Sequence, residues 1–153
     1  MPVMDKVEIV RRFTDGLRVG DIGACLELLD DASVFSETPS LPFGGDYIGP
    51  QGFRRMLRAV SQDFSVELEP PEIADGDDCV AVAVHGTFTS RATGRSMPVD
   101  AVDIYRLRGD KIIRVDVYYK DPHALSELCR EHESPAERGQ ANSYTSNDRG
   151  ELQ

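Results

Sequence analysis

The sequence predicts an α+β fold, with helices gathered early in the chain and an antiparallel sheet after them. Residues 7–17 and 53–64 carry apolar side chains at helical spacing. From residue 66 onward, apolar and polar side chains alternate in segments that short clusters of glycine and aspartate separate. Consecutive strands joined by short turns form hairpins, so we expect an antiparallel sheet whose one face the helices cover.

Composition limits the class of protein. The 153 residues are 40% hydrophobic and 29% charged, which is typical of a globular protein. No apolar run approaches the roughly 20 residues of a membrane span, and the N-terminus lacks a signal-peptide pattern, so we expect a cytoplasmic protein. The formal net charge of −10 argues against a nucleic-acid partner, because phosphates require a basic surface.

The three cysteines form no motif. Cys25, Cys79 and Cys129 are far apart, and none belongs to a CxxC or Cys/His cluster. We interpret them as reduced, space-filling side chains. The sequence therefore predicts neither a metal site nor a cofactor.

The predicted elements follow in order. A first helix contains Phe13 and ends at Gly20, and Asp21 caps a second helix. Residues 32–38 form a short strand. Residues 39–47 form an apolar loop that could act as a lid, and Gly49-Pro50 begins a third helix, because proline is well placed in a first helical turn.

Four strands and a closing helix complete the predicted domain. The strands lie near residues 66–68, 79–90, 97–107 and 112–119, and the helix begins at Pro122. We expect a turn at residues 75–78. The pocket domain spans residues 1–130, and residues 131–153 are polar enough to form a disordered tail.

The hairpin of residues 99–121 places Asp103 among apolar side chains. A three-residue turn after Leu107 would pair Leu107 with Lys111 and put Val115, Val117 and Tyr119 on the face of Asp103. A two-residue turn would put Arg114 and Asp116 there instead. We prefer the first register because it collects the apolar side chains on one face. The same pairing logic places Val84 and Phe88 beside Asp103 and sends His85 to the opposite face.

Four stretches carry a resemblance to a known family: GLRVGDIGACLELLDDASVF, FGGDYIGPQGF, VDIYRLRGDKI and VYYKDP. The chain resembles the SnoaL-like polyketide cyclases, within the superfamily of ketosteroid isomerase and nuclear transport factor 2. The resemblance implies a cone-shaped α+β barrel whose curved antiparallel sheet has helices packed on its concave face. It also implies a hydrophobic pocket and a homodimer formed through the outer face of the sheet, where Val102, Ile104 and Ile112 would add apolar area.

The resemblance places family roles on individual residues. Asp103 matches the protonated aspartate that the isomerases use as a hydrogen-bond donor. Phe13 matches the isomerase tyrosine but has no hydroxyl, and Ser36 matches the general-base aspartate, with Glu37 beside it. Two of the three isomerase roles are therefore missing.

The sequence leaves the pocket chemistry open. Burial on an apolar face should raise the pKa of Asp103 and make it an acid near neutral pH, or Asp103 could bond a tyrosine and only order the core. Glu37 is a candidate base if its strand is offset by one residue, and otherwise lies on a solvated edge. Ser36 could position a water, and Tyr105 could donate a hydroxyl. The predicted ligand-binding side chains are Phe13, Tyr47, Phe53, Met56, Val84, Phe88, Val117 and Tyr119.

Three functions are compatible with these residues. The first is a cofactor-independent enzyme that cyclises or isomerises an apolar, polyketide- or steroid-like carbonyl substrate by proton transfer, with Asp103 as the acid. The second is a protein that binds a small molecule without catalysis. The third is an epoxide hydrolase, which in this superfamily holds a water between two acids and an arginine.

Overall fold

The computed structural model describes residues 4–130, and the predicted tail lies outside them. Four helices and seven strands make up this part of the chain: α1 Lys6–Val19, α2 Ile22–Glu27, β1 Leu29–Glu37, β2 Gly45–Ile48, α3 Gly49–Asp63, β3 Phe64–Leu68, β4 Glu72–Asp75, β5 Val80–Ser90, β6 Ser96–Arg108, β7 Lys111–Tyr119 and α4 Pro122–Arg130. The α+β class is confirmed.

Local capping fixes the first two helices. The Asp5 carboxylate accepts from the amide of Glu8 to begin α1, and Gly20 ends it in the left-handed conformation at φ 82°. The Asp21 carboxylate accepts from the amide of Ala24 and begins α2, as predicted. Helix α3 begins at Gly49-Pro50, again as predicted. These helix boundaries could be predicted from the sequence because each capping interaction acts within one helical turn.

The strands form one curled sheet in the order β2-β1-β7-β6-β5-β3, with β4 also paired to β5. The expected antiparallel sheet needs one correction, since β1 and β7 are parallel. Short turns make only consecutive strands antiparallel, and most of the domain separates β1 from β7 in the sequence. Strands β2 and β4 were not predicted, because each has only four residues; β2 overlaps the predicted loop, and β4 follows Pro70-Pro71 and ends where the predicted turn begins.

A bulge in the β6–β7 hairpin decides which side chains face inward. The turn has two residues, since Arg108 pairs with Lys111, so the predicted three-residue turn is wrong. Gly109 enters it at φ 62°, a conformation that glycine adopts readily. An extra residue, Ile113, then shifts the register, and Asp103 pairs with Val117. The apolar face predicted for Asp103 is therefore present, although Leu107 pairs with Ile112 rather than Lys111.

Two apolar clusters support the sheet. The first joins the helices to the concave face through Phe13, Phe35, Phe53 and Tyr105. The second closes one end of the domain, where Phe43 packs against Phe64 and Tyr119 with ring centroids 6.5 and 6.4 Å apart. Phe43 is 3% exposed, so the loop predicted as a lid is packed into the core, together with α4.

Ile112 does not lie on the outer face of the sheet, where it was predicted, but is fully buried, because the bulge turns it inward. Cys25 and Cys129 are buried free thiols, and Cys79 is half-buried. No helix within residues 4–130 is long and apolar enough to cross a membrane.

Candidate active site

A cavity of about 920 Å³ lies between the concave face of the sheet, α3 and the end of α1. Its wall is mostly apolar, which suits a ligand of drug-like size. The apolar lining includes Phe35, Met56, Phe64, Val84, Phe88 and Val117. Charged side chains, among them Arg18, Glu67 and Arg91, also border it and are largely exposed.

Two carboxyl groups share one row across the inner face. In the parallel pair Ser36 lies opposite Asp116, so the next residues, Glu37 and Val117, are neighbours that face inward. On the other side Val117 pairs with Asp103. Two strand spacings therefore place the Glu37 and Asp103 backbones about 10 Å apart, with Val117 between them. Both carboxyl groups line the cavity.

Glu37 is 5% exposed and is held by a neighbouring hydroxyl. The Tyr119 hydroxyl donates to Glu37 Oε1 at 3.1 Å. Burial, together with the charge of Asp103, raises the pKa of Glu37 to about 8, while the bonds from Tyr119 and the Thr38 backbone act in the opposite direction. Glu37 therefore keeps its proton at neutral pH whenever Asp103 is ionised.

Asp103, unlike Glu37, has no hydrogen-bond donor beside its carboxyl group among the described residues. Within residues 4–130 no protein group donates a hydrogen bond to its carboxyl, and desolvation alone raises its pKa to about 7. It also borders an adjoining cavity of about 50 Å³ near Thr14 and Pro71, enough space for one or two waters. Tyr105 lines both cavities, and burial raises the pKa of its hydroxyl. A partly buried carboxyl in an apolar wall calls for a partner from a ligand or a water.

Three of the four predicted catalytic residues lie together. Asp103, Glu37 and Tyr105 line the cavity, whereas Ser36 does not. Alternation along β1 turns Ser36 to the outer face, where its hydroxyl donates to Asp46 Oδ1 at 2.7 Å. The placement of Ser36 in the pocket is therefore wrong. Its neighbour Glu37 occupies the inward position.

The predicted ligand-binding residues divide into two groups. Met56, Val84, Phe88, Val117 and Tyr119 line the cavity. The other three do not reach it: Phe13 and Phe53 are fully buried with ring centroids 5.3 Å apart, and the Tyr47 hydroxyl donates to the Phe43 carbonyl at 2.9 Å. The apolar faces of the two helices that carry Phe13 and Phe53 were correctly predicted, but these two side chains fill the core instead of lining the cavity.

Sequence reasoning missed part of the lining. Phe35 lies two residues before Glu37, so alternation along β1 would have placed both on one face. Leu17 and Ile22 also line the cavity, and no local pattern distinguishes them from core residues. His85 lies on the outer face as predicted, with Nδ1 2.6 Å from Asp100 Oδ1, a bond that raises the pKa of His85.

The arrangement is suited to general acid–base chemistry. Like-charged groups in an apolar wall disfavour double ionisation, so near neutral pH the pair holds about one proton. One carboxyl can then donate a proton while the other accepts one. Within the described part of the chain, no cluster of histidine, cysteine or acidic side chains could hold a metal ion.

The curled sheet and its helices form the cone-shaped α+β fold that is also found in a nuclear transport factor 2-like protein of known structure. The family model described as the SnoaL-like domain matches residues 10–115, and the chain belongs to that family. None of the curated proteins matches the chain.

Solved structures share the fold at low sequence identity. TerC, co-crystallised with polyporic acid, has 22% identity and a TM-score of 0.72 over 81% of this chain and 97% of its own. A nuclear transport factor 2-like protein of Burkholderia pseudomallei has 16% identity and a TM-score of 0.70 over 77% and 92%. A protein of Pseudomonas putida, proposed to be a polyketide cyclase, has 20% identity and a TM-score of 0.67 over 82% and 98%.

Proposed function

We propose that this protein is a small, cofactor-independent enzyme that cyclises or isomerises an apolar carbonyl substrate by proton transfer. The observation that carries the proposal is the pair of carboxyl groups, Glu37 and Asp103, on one wall of an apolar cavity. Family membership supports it, since structural relatives include a protein proposed to be a polyketide cyclase. A polyketide- or steroid-like compound fits the cavity volume.

The surroundings of the two acids assign their roles. Tyr119 and the Thr38 amide donate to Glu37, which favours its ionised form once a proton on Asp103 removes the competing charge. Asp103 has no donor to stabilise a charge, so the proton that Glu37 holds at rest would pass to Asp103 before the reaction, against a pKa difference of about one unit between the two groups. Glu37 would remove a proton from the carbon next to the carbonyl, and the Asp103 hydroxyl would donate to the carbonyl oxygen as the enolate forms. Return of the proton to another carbon completes the isomerisation.

Hydrogen–deuterium exchange tests the proposal without knowledge of the natural substrate. A panel of β,γ-unsaturated ketones and 1,3-diketones is incubated with the protein in D₂O, and NMR follows deuterium at the carbon next to the carbonyl. The wild type should accelerate exchange, and Asp103→Asn and Glu37→Gln should each reduce the rate by roughly 100-fold or more. Equal exchange by the wild type and both folded variants would refute the proposal, and binding without exchange would indicate a non-catalytic binding protein.

Epoxide hydrolysis is the second candidate. A second carboxyl is present on the wall, and the adjoining 50 Å³ cavity brings Arg18 and space for water to the same Asp103. In this alternative the water would attack an epoxide carbon while an acid protonates the oxygen. Styrene oxide in ¹⁸O-labelled water separates the candidates, because only hydrolysis gives a labelled diol.

We also propose a cytoplasmic homodimer formed through the outer face of the sheet. Val102 and Tyr118 are 41% and 60% exposed there, which leaves apolar area for a second copy. Light scattering of the wild type should give twice the monomer mass, and Val102→Glu should reduce the measured mass to that of one monomer. A wild-type monomer at micromolar concentration would exclude the dimer.

A further inference from the structure

Within residues 4–130, no basic side chain forms an ion pair with Glu37 or Asp103. Arg18 and Arg91 border the cavity but are engaged elsewhere: Arg18 pairs with Asp15 at 3.3 Å, and Arg91 Nε donates to the Ser61 carbonyl at 2.7 Å. The nearest polar neighbours of the row are Tyr105 and Tyr119, whose hydroxyls can donate but carry no positive charge. Among the described residues, the two acids therefore face each other across Val117 without an ion-pair partner, and Arg18, which borders the small cavity beside Asp103, pairs with Asp15 instead.

Asp103 supplies an independent indication of a ligand. Its carboxyl is partly buried, lines the cavity, and receives no hydrogen bond from residues 4–130. A polar group in an apolar wall is rarely left without a partner. Glu37, by contrast, has the Tyr119 hydroxyl at 3.1 Å. A ligand that donates to Asp103 and also neutralises the charge of Glu37 would satisfy both groups.

We propose that the cavity binds apolar ligands that carry a protonated amine, with the ammonium group above Val117 between Glu37 and Asp103. An ammonium group has three donors, so it can bond both carboxylates at once. The apolar part of the ligand would contact Met56 and Phe88. Such a ligand need not react, so its binding does not depend on the proposed catalysis.

Binding of an amine should change the protonation of the pair. Both carboxyl groups favour the neutral form in the empty cavity, and an ammonium group favours the charged form. Complex formation would therefore release protons, and affinity would rise with pH until the acids ionise without help. The other charged groups that border the cavity, Arg18, Glu67, Glu69 and Arg91, are exposed and contribute less. An amine would also inhibit proton transfer by removing the protonated acid.

A matched pair of ligands tests the proposal. Calorimetry compares 1-adamantanamine with 1-adamantanol, which have the same shape, from pH 6 to 9. The amine should bind about tenfold more tightly at pH 8 than at pH 6, while the alcohol shows no such change. Heats measured in phosphate and in Tris should reveal proton release for the amine only. Equal affinity of amine and alcohol across this range would overturn the proposal.

Variants locate the amine. Glu37→Gln and Asp103→Asn should each weaken amine binding at pH 8 by about tenfold or more. Their binding of the alcohol reports that the cavity is still folded. Glu67→Gln is the control, since it removes a carboxylate from the exposed border, and it should leave the amine affinity unchanged. A loss in Glu67→Gln equal to that in the other two would place the amine at the border and refute the site.

Discussion

The two faces of the sheet use carboxyl groups in opposite ways. On the outer face Asp46, Ser36 and Asp116 form a row, and Arg114 donates to both oxygens of Asp116 at 3.0–3.1 Å. One residue further along β1, the inner row carries Glu37 and Asp103 with a single side-chain donor between them. The residue type is the same on both faces. Solvent and ion pairing stabilise the outer charges, whereas burial makes the inner groups weak acids.

The largest predicted effect is on the pH dependence of stability. Glu37 and Asp103 bind protons more tightly in the folded protein than in the unfolded chain, with pKa values near 8 and 7 against ordinary values of 4.5 and 3.8. The free energy of unfolding should therefore fall as pH rises from about 4 to about 8. At about 1.4 kcal/mol per pKa unit, the loss has an upper limit of about 5 kcal/mol for each group.

Urea unfolding of the wild type and of the double variant Glu37→Gln/Asp103→Asn, at pH 5, 7 and 9, measures this effect. The double variant should lose much less stability between pH 5 and 9, since neither amide titrates. Parallel pH profiles for the two proteins would show that the inner acids ionise as freely as surface groups.

A smaller effect is expected for Tyr119→Phe. The hydroxyl lies 3.1 Å from Glu37 and favours the ionised carboxylate, so its removal should raise the pKa of Glu37 further, by about one unit. NMR titration of ¹³C-labelled glutamate side chains reports the change. Tyr118→Phe is a matched control, because Tyr118 is adjacent in sequence but exposed on the outer face. An equal pKa of Glu37 in Tyr119→Phe and in the wild type would show that the Tyr119 hydroxyl does not affect the ionisation of Glu37.

The smallest effect is expected for Ser36→Ala. Ser36 bonds Asp46 at an exposed position, so its loss should cost about 1 kcal/mol or less in unfolding free energy. The deuterium-exchange rate should not change, in contrast to the adjacent Glu37→Gln. A 100-fold loss of exchange in Ser36→Ala would contradict the division between the two faces.

Local sequence signals predicted most of the fold. Caps, glycine stops and alternation act over a few residues, and they correctly gave α1, α2, α3 and the inward position of Asp103. The parallel contact of β1 with β7 could not be predicted from them, because it joins residues far apart in the chain. Alternation along β1 puts Glu37 on the face of Phe35, but the position of Glu37 beside Val117 depends on that contact.

The candidate site was predicted in part for the same reason. The inward face of Asp103 followed from the apolar side chains of its hairpin, whereas the turn length and the bulge at Ile113 did not. Phe13 and Phe53 were misplaced because an apolar helical face looks the same whether it meets a cavity or another side chain. The Tyr119–Glu37 bond joins two separate strands, and no local pattern reveals it.

The bulge at Ile113 has a consequence for sequence change in this hairpin. If Ile113 paired regularly instead of forming the bulge, the two-residue turn would place Asp103 opposite Asp116, and Arg114 would face the cavity. Insertions and deletions in hairpin turns are usually tolerated as surface changes. Here the loss of the bulge, with every residue kept, would exchange an apolar wall for a charged one, whereas deletion of Ile113 would keep Asp103 opposite Val117. The strand pairing near residues 109–113 therefore deserves the same scrutiny as substitution of Asp103 when related sequences are compared.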